Sequence, residues 1–308
     1  MRSFLRRCLR SRIPPAAFVC ALIALTVGQF RHATPAIMVL TTGACIFSAF
    51  VWGYSARVTR EWPRLRELRR SDYASVWDAL SPNSTAAARA ATGLSDEYSL
   101  QAAGRQVAAR IAGFVSVVPT DNVLEIGSGV GRVGWAMAPL CGNWIGCDRS
   151  KRMLKYAERR LATFDNVRFL QLSEPKLDGI PDGSIDVVYC TNVFAHLDEL
   201  ERWQYVAESH RVLSTGGRLY IDTIALDSVE GWAMLSNNLA QRRRRVDPPY
   251  MPLPSTSEEV AAYFKNAGFN SVRVETQNSL LIVTGMKGIA GKARSENSSH
   301  VFAANALS

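Results

Sequence analysis

The chain has 308 residues, with 36 Lys+Arg against 27 Asp+Glu and with 47% hydrophobic and 20% charged residues. Such fractions exclude a disordered, collagen-like or coiled-coil chain, and six scattered cysteines in so long a chain exclude a disulfide-stapled miniprotein. The formal charge of +9 is not spread evenly: residues 1–70 hold twelve Arg, no Lys and only Glu61 and Glu67, a net +10 that leaves −1 for residues 71–308. A neutral C-terminal part offers little to a phosphate backbone, so nucleic acid is an unlikely partner.

Within the basic segment, Ile13 to Phe30 and Ala33 to Ala56 are free of charge, at eighteen and twenty-four residues. A bilayer core about 30 Å thick needs roughly 20 apolar residues in a helix. We therefore expect residues 1–56 to form a two-span transmembrane hairpin in contact with membrane lipid. Arg2, Arg6, Arg7, Arg10 and Arg12 precede the first span, and Arg57, Arg60, Arg64, Arg66, Arg69 and Arg70 follow the second. By the positive-inside rule, both termini and everything after the hairpin face the cytoplasm. A cleaved signal peptide is the alternative for the first span, but no clear A-x-A site follows it and a second apolar span does. Residues 57–94 read as a basic juxtamembrane connector, with a turn signal at Ser81-Pro82-Asn83-Ser84.

From Ser95 the pattern alternates between helical and strand periods. Residues 95–117 predict a helix ended by Pro119, and Val123 to Ile126 a short buried strand. A Gly-rich turn and a helix to about Leu140 come next. Strands are predicted at Trp144–Cys147, Val167–Leu172, Ile185–Cys190 and Gly217–Thr223, and helices at Lys151–Thr163 and Asp198–Leu213. This βαβ succession predicts a parallel sheet with helices on both faces, a domain over residues 95–287, and a polar, aperiodic tail over 288–308 that reads as disordered.

The chemistry begins at Gly127-Ser128-Gly129-Val130-Gly131, after a strand and opening a helix. Glycines at alternate positions let backbone N–H groups approach a ligand, but alone such a turn is weak evidence. The spacing is not the dinucleotide fingerprint, because Arg132 stands where its last glycine would be. Two acids sharpen the case. Glu125 lies on the strand before the turn, and Asp148 ends the next strand, where a carboxylate can take both hydroxyls of a ribose.

Val123-Leu-Glu-Ile-Gly-Ser-Gly-Val-Gly131, Gly146-Cys-Asp148, Ile185-Asp-Val-Val-Tyr-Cys190 and Leu213-Ser-Thr-Gly-Gly-Arg-Leu219 together resemble the class I S-adenosylmethionine-dependent methyltransferases. The resemblance runs from about Leu94 to Met286 and includes Ser257-Glu-Glu-Val with Phe264 and Ala267-Gly268-Phe269, similar to the family's helix before its last two strands. It implies a Rossmann-like α/β fold whose mostly parallel seven-stranded sheet ends in an antiparallel strand, with S-adenosyl-L-methionine at the strands' carboxyl ends. By the same resemblance Gly127, Ser128, Gly129 and Gly131 lie under the methionine part, and Glu125 orients its amino group. Asp148 binds the ribose, with Arg149 near the adenine. Where the family commonly has Gly-Asp-Ala after the third strand this chain has Leu172-Ser173-Glu174, so Ser173 is the candidate adenine partner, with Glu174 reaching in as the alternative. Thr191 and Asn192 stand at the methionine end and the transferred methyl.

His196, on the same loop, is the candidate catalytic residue, as a general base. The competing reading is a packing or capping histidine, the commoner role of a lone titratable group. No paired Cys or His spacing suits a metal, and none is expected. The expected activity is methylation of a small-molecule or membrane-resident acceptor at the cytoplasmic face. Two rivals stand: a noncatalytic scaffold of the same fold, and a nicotinamide oxidoreductase, disfavoured by the glycine spacing and the lack of a Tyr-x-x-x-Lys pair.

Overall fold

A computed structural model describes residues 68–69, 71–243 and 250–288. The expected hairpin at 1–56, the first part of the basic connector (57–67 and 70) and the tail from residue 289 lie outside the described residues. Among the described residues no helix is long and apolar enough to cross a membrane.

The described elements are α1 (Tyr73–Leu80), α2 (Ser84–Thr92), α3 (Glu97–Val115), β1 (Asn122–Ile126), α4 (Arg132–Met137), β2 (Asn143–Asp148), α5 (Lys151–Arg160), β3 (Val167–Gln171) and β4 (Ile185–Cys190). They continue with α6 (Glu199–Val212), β5 (Leu213–Ile224), α7 (Val229–Arg243), α8 (Ser257–Ala267), β6 (Phe269–Gln277) and β7 (Leu280–Lys287). The seven strands lie in the order β3-β2-β1-β4-β5-β7-β6, and β7 runs antiparallel to both of its neighbours. The expected seven-stranded, mostly parallel sheet is thus present.

Side chains alternate across each strand, and here both faces are covered. Val123, Trp144, Val187 and Tyr189 point to one face, where α3 and α4 pack, while Leu124, Ile126, Val188 and Cys190 point to the other. Helix starts are capped by local chemistry: Asp96, Ser150, Asp198 and Thr256 each accept from the backbone N–H three residues on. The helix expected to reach Leu140 ends at Met137 and tightens to a 3-10 turn over Ala138–Leu140, because Pro139 cannot continue it.

The domain begins earlier than the expected residue 95. Tyr73 and Val76 of α1 and Ala87 and Ala88 of α2 are buried. Asp78 accepts from Ser150 Oγ at 2.6 Å and from the Arg152 N–H at 3.2 Å, and Tyr156 donates to the Ser81 carbonyl at 3.3 Å. The connector boundary at 94 is therefore corrected: residues 73–92 are part of the domain's wall. In α2 the burial rests on two alanines, too narrow a stripe to stand out as a period in sequence.

Candidate functional site

The strand ends dictate the turn after β1. The Gly127 and Ser128 N–H groups both donate to the Cys147 carbonyl, at 2.8 and 2.9 Å, and the Gly131 N–H donates to the Ser128 carbonyl at 2.9 Å. All three glycines have left-handed φ, at 72°, 55° and 74°. Their tasks differ. A Cβ on Gly127 would meet Val193 Cγ2 at 2.2 Å, and one on Gly131 would meet Leu161 Cδ1 at 2.6 Å. On Gly129 it would find only Ala91 Cβ at 3.9 Å. Gly131 is thus a packing glycine against α5 and its end, and it does not line the cavity beside the turn.

Asp148 closes β2 beside this turn. Its Oδ2 accepts from the Gly129 N–H and its Oδ1 from the Ser150 N–H, both at 2.8 Å. Each carboxylate oxygen has a further lone pair, so both remain able to accept from a ligand hydroxyl. Burial pushes the Asp148 carboxyl up to about 6, against the pull of those N–H groups.

Glu125 is 2% exposed, on the same face as Trp144 and Tyr189. The Tyr189 hydroxyl donates to Glu125 Oε2 at 2.7 Å and accepts from Trp144 Nε1 at 2.9 Å. Gly134 and Gly146 make room for that tryptophan, since a Cβ on either would come within 2.3 Å of its ring. Burial raises the Glu125 carboxyl to about 8, opposed by the Tyr189 hydrogen bond and the nearby Arg132 charge.

These groups open onto a cavity of about 850 Å³, including its mouth, at the carboxyl ends of β1, β2 and β4. The location is where open α/β sheets bind ligands. The cavity gathers Glu125, Gly127, Ser128, Gly129, Asp148, Arg149, Thr191 and Asn192 from the expected set, and His196 with them. Ser173 is left out. It is exposed, and its carbonyl accepts from Arg149 at 3.2 Å. The structure thus does not bring the expected adenine partner Ser173 into the cavity lining; β3 ends at Gln171, and Leu172 is the last residue of this stretch to line it.

Arg149 is instead clamped in the wall. It pairs with Glu201 at 2.9 Å and lies 5.1 Å over the Tyr73 ring. Thr191 donates to Asp222 Oδ2 at 2.7 Å, and the Asn192 N–H donates to Asp222 Oδ1 at 3.0 Å, which holds Asn192 at a left-handed φ of 58°. His196 lies in a 3-10 turn, with Nδ1 2.8 Å from the Tyr250 carbonyl and its ring edge-to-face with Trp77 at 5.1 Å. Arg202, 3% exposed, fastens the same turn through the Phe194 carbonyl at 3.0 Å. These contacts fit the packing reading of His196.

Sequence reasoning missed Tyr73 and Trp77 of α1, Met153 of α5, Tyr205 of α6, and Arg132, all of which line the cavity. For α1, the spacing of Tyr73, Val76, Trp77 and Leu80 was the available signal.

A family model described as a methyltransferase domain matches residues 123–217, the stretch from β1 into β5 that carries the turn, Asp148 and the Thr191 loop. The chain is 27% identical over 183 residues to the 27-O-demethylrifamycin SV methyltransferase of Amycolatopsis mediterranei, covering 58% of this chain and 65% of that protein. The stretch from β1 into β5 is thus similar to a methyltransferase domain. The chain is also 28% identical over 199 residues to the malonyl-[acyl-carrier protein] O-methyltransferase of Herminiimonas arsenicoxydans, covering 60% of this chain and 69% of that one. The matched region thus spans about two thirds of these two methyltransferases, 65% and 69% of their lengths. Among solved structures, a methyltransferase from Aquifex aeolicus is similar at 20% identity and a TM-score of 0.49, over 65% of this chain and 97% of that one.

The methyltransferase family's cofactor is S-adenosylmethionine, and the residues present suit it. Ser128 Oγ at the turn is buried with no hydrogen-bond partner among the described residues, and the space over Gly129 is open. A carboxylate stands at each end of the turn. Tyr73, Trp77, Met153 and Leu172 supply apolar cover.

Proposed function

We propose that this chain is a membrane-anchored methyltransferase that transfers a methyl group from S-adenosylmethionine to a small or lipid-like acceptor at the cytoplasmic face. The observation that carries the reading is the cavity, which brings Glu125, the glycine turn and Asp148 together at the ends of three parallel strands. In this assignment Asp148 takes the ribose hydroxyls, Glu125 the amino group, and Thr191 and Asn192 the methionine end.

When bound, the cofactor would supply an electrophilic sulfonium methyl for an acceptor lone pair. What the chain adds is placement and exclusion of water. Tyr73 and Trp77 cover the cavity from α1, and Asp222 holds the Thr191–Asn192 turn still. His196 serves that wall as a packing group. No base is assigned, since a good leaving group makes alignment the main requirement.

A small acceptor is in keeping with the relatives, which act on a rifamycin and on a malonyl group carried by a protein. The membrane anchor rests on residues 1–56, with two charge-free stretches between basic flanks. Cytoplasmic orientation rests on those flanks and on the cytosolic supply of the cofactor. Anchoring suggests a lipid, isoprenoid or quinone acceptor, or a membrane-bound partner enzyme.

Two measurements test the reading. Calorimetry with S-adenosylhomocysteine should show micromolar binding, and no binding would restore the noncatalytic scaffold. Fractionation of cells carrying the full chain and a version lacking residues 1–56 should leave only the full chain with the membranes; equal solubility would end the anchor.

A further inference from the structure

Arg132 follows the last glycine of the turn and opens α4. It is only 8% exposed, and it lines the cavity. Among the described residues its guanidinium makes no hydrogen bond or ion pair. Two carboxylates lie close enough for their charges to be felt, those of Glu125 and Asp222, but each has other partners. Glu125 Oε2 accepts from Tyr189 at 2.7 Å. Asp222, 1% exposed, takes Arg110 and Tyr220 at 3.1 Å, Thr191 at 2.7 Å and the Asn192 N–H at 3.0 Å.

A guanidinium carries five N–H donors, and burying it without a partner is expensive. None of its nitrogens is among the polar atoms that are both walled off and unpartnered. Its donors therefore keep some open surface, and the open space that Arg132 borders is the cavity. The position is also rigid. A Cβ at Gly104 of α3 would come within 2.4 Å of the Arg132 carbonyl oxygen and 3.3 Å of its Cγ, so α3 presses on both backbone and stem. A held, buried cation with unused donors is a receptor for an anion, and the planar fork of arginine matches a carboxylate. Beside it stands a buried acid. A fixed cation at the start of α4, beside an acid on β1 that can ionise against an ammonium, suits a zwitterion.

We propose that Arg132 and Glu125 together read the α-amino-acid end of the cofactor, Arg132 taking its carboxylate and Glu125 its ammonium. This rests on the cofactor assignment above and adds to it the reader of the carboxylate. Removing one partner of a buried, hydrogen-bonded charge pair commonly costs a factor of about 30 to 4,000 in affinity.

The test titrates the full-length chain by calorimetry with three probes: S-adenosylhomocysteine, its decarboxylated counterpart, and methylthioadenosine, which lacks the whole amino-acid end. Wild-type protein should lose about 100-fold in affinity when the carboxylate is removed from the ligand. Arg132→Met should lose less than about 3-fold on the same comparison while binding methylthioadenosine as tightly as wild type, which also reports an intact fold. Arg132→Lys keeps the charge without the fork and should fall between them. Should Arg132→Met fail to fold, Arg132→Lys against wild type carries the same comparison. A carboxylate penalty that is absent in wild type, or equal in wild type and both variants, overturns the assignment to Arg132 while leaving the cofactor site standing. Failure of wild type to bind any of the three probes overturns the cofactor assignment and this one together.

Discussion

The two walls of the cavity are built on different principles. On the sheet side, Glu125, Asp148 and Thr191 sit at the ends of β1, β2 and β4, and backbone hydrogen bonds of the parallel ladder set their separation. On the helix side, Tyr73 and Trp77 come from α1, which is tied down by a few side-chain contacts, chiefly Asp78 to Ser150 and Arg152. The sheet wall carries the polar groups that recognise a ligand, and the helix wall carries aromatic cover. Groups that must meet particular ligand atoms are placed by the most rigid scaffold available, whereas cover needs area more than precision.

The sharpest way to break this contrast is at Asp148. Asp148→Ala should lower affinity for S-adenosylhomocysteine by at least about 100-fold in calorimetry, since it removes a charged acceptor and leaves the Gly129 N–H unpaired. Unchanged affinity would make the ribose assignment wrong and reduce the sheet wall to scaffolding. On the helix wall the expectation is milder. Asp78→Ala should weaken the same binding by about 5- to 10-fold and speed amide exchange within residues 73–80 but not in β1. Equal acceleration in β1 would mean that α1 is integral to the core.

A third probe uses pH. Glu125 titrates at about 8 in the folded protein, against an ordinary value of 4.5, because it is buried. The folded state therefore holds this proton more tightly than the unfolded chain. Its contribution to stability is full below about 4.5 and is lost as pH rises through about 8. Urea midpoints of the ligand-free protein should fall over that window, and Glu125→Gln should flatten the fall. For an ammonium ligand the sign reverses, and affinity should rise as pH approaches 8 in wild type only. A pH-independent difference between the two proteins would remove Glu125 as the titrating group. The smallest effect belongs to Ser173, which lies outside the cavity: Ser173→Ala should change affinity by less than about 2-fold. A larger loss would return the residue to the adenine end.

The legibility of the two walls followed their construction. Strand alternation is a local period, and the βα succession, the glycine turn and the acids Glu125 and Asp148 were all readable from short windows. The count of seven strands and the antiparallel last strand came from the resemblance and were then found in the structure, whereas the strand order was decided by the tertiary structure. The membership of α2 in the domain was not readable, because its buried positions are two alanines, while the helical spacing of Tyr73, Val76, Trp77 and Leu80 was the one local signal for α1. Nor was the division of labour among the glycines. Gly127 and Gly131 look alike in sequence, yet one abuts Val193 and the other Leu161, each brought from elsewhere by packing.

By itself the sequence determined the charge asymmetry, with a basic N-terminal segment of +10 beside a neutral domain, and the run of strands and helices that makes the sheet. Both are sums or periods along the chain and need no knowledge of what meets what. The tertiary structure alone decided that Tyr189 and Trp144 stand behind Glu125 and that Ser173 turns outward. It likewise decided that Arg132 is buried beside two carboxylates that are engaged elsewhere. Those outcomes depend on contacts between residues far apart in the chain, and burial, which sets their energetics, exists only once the layers have packed.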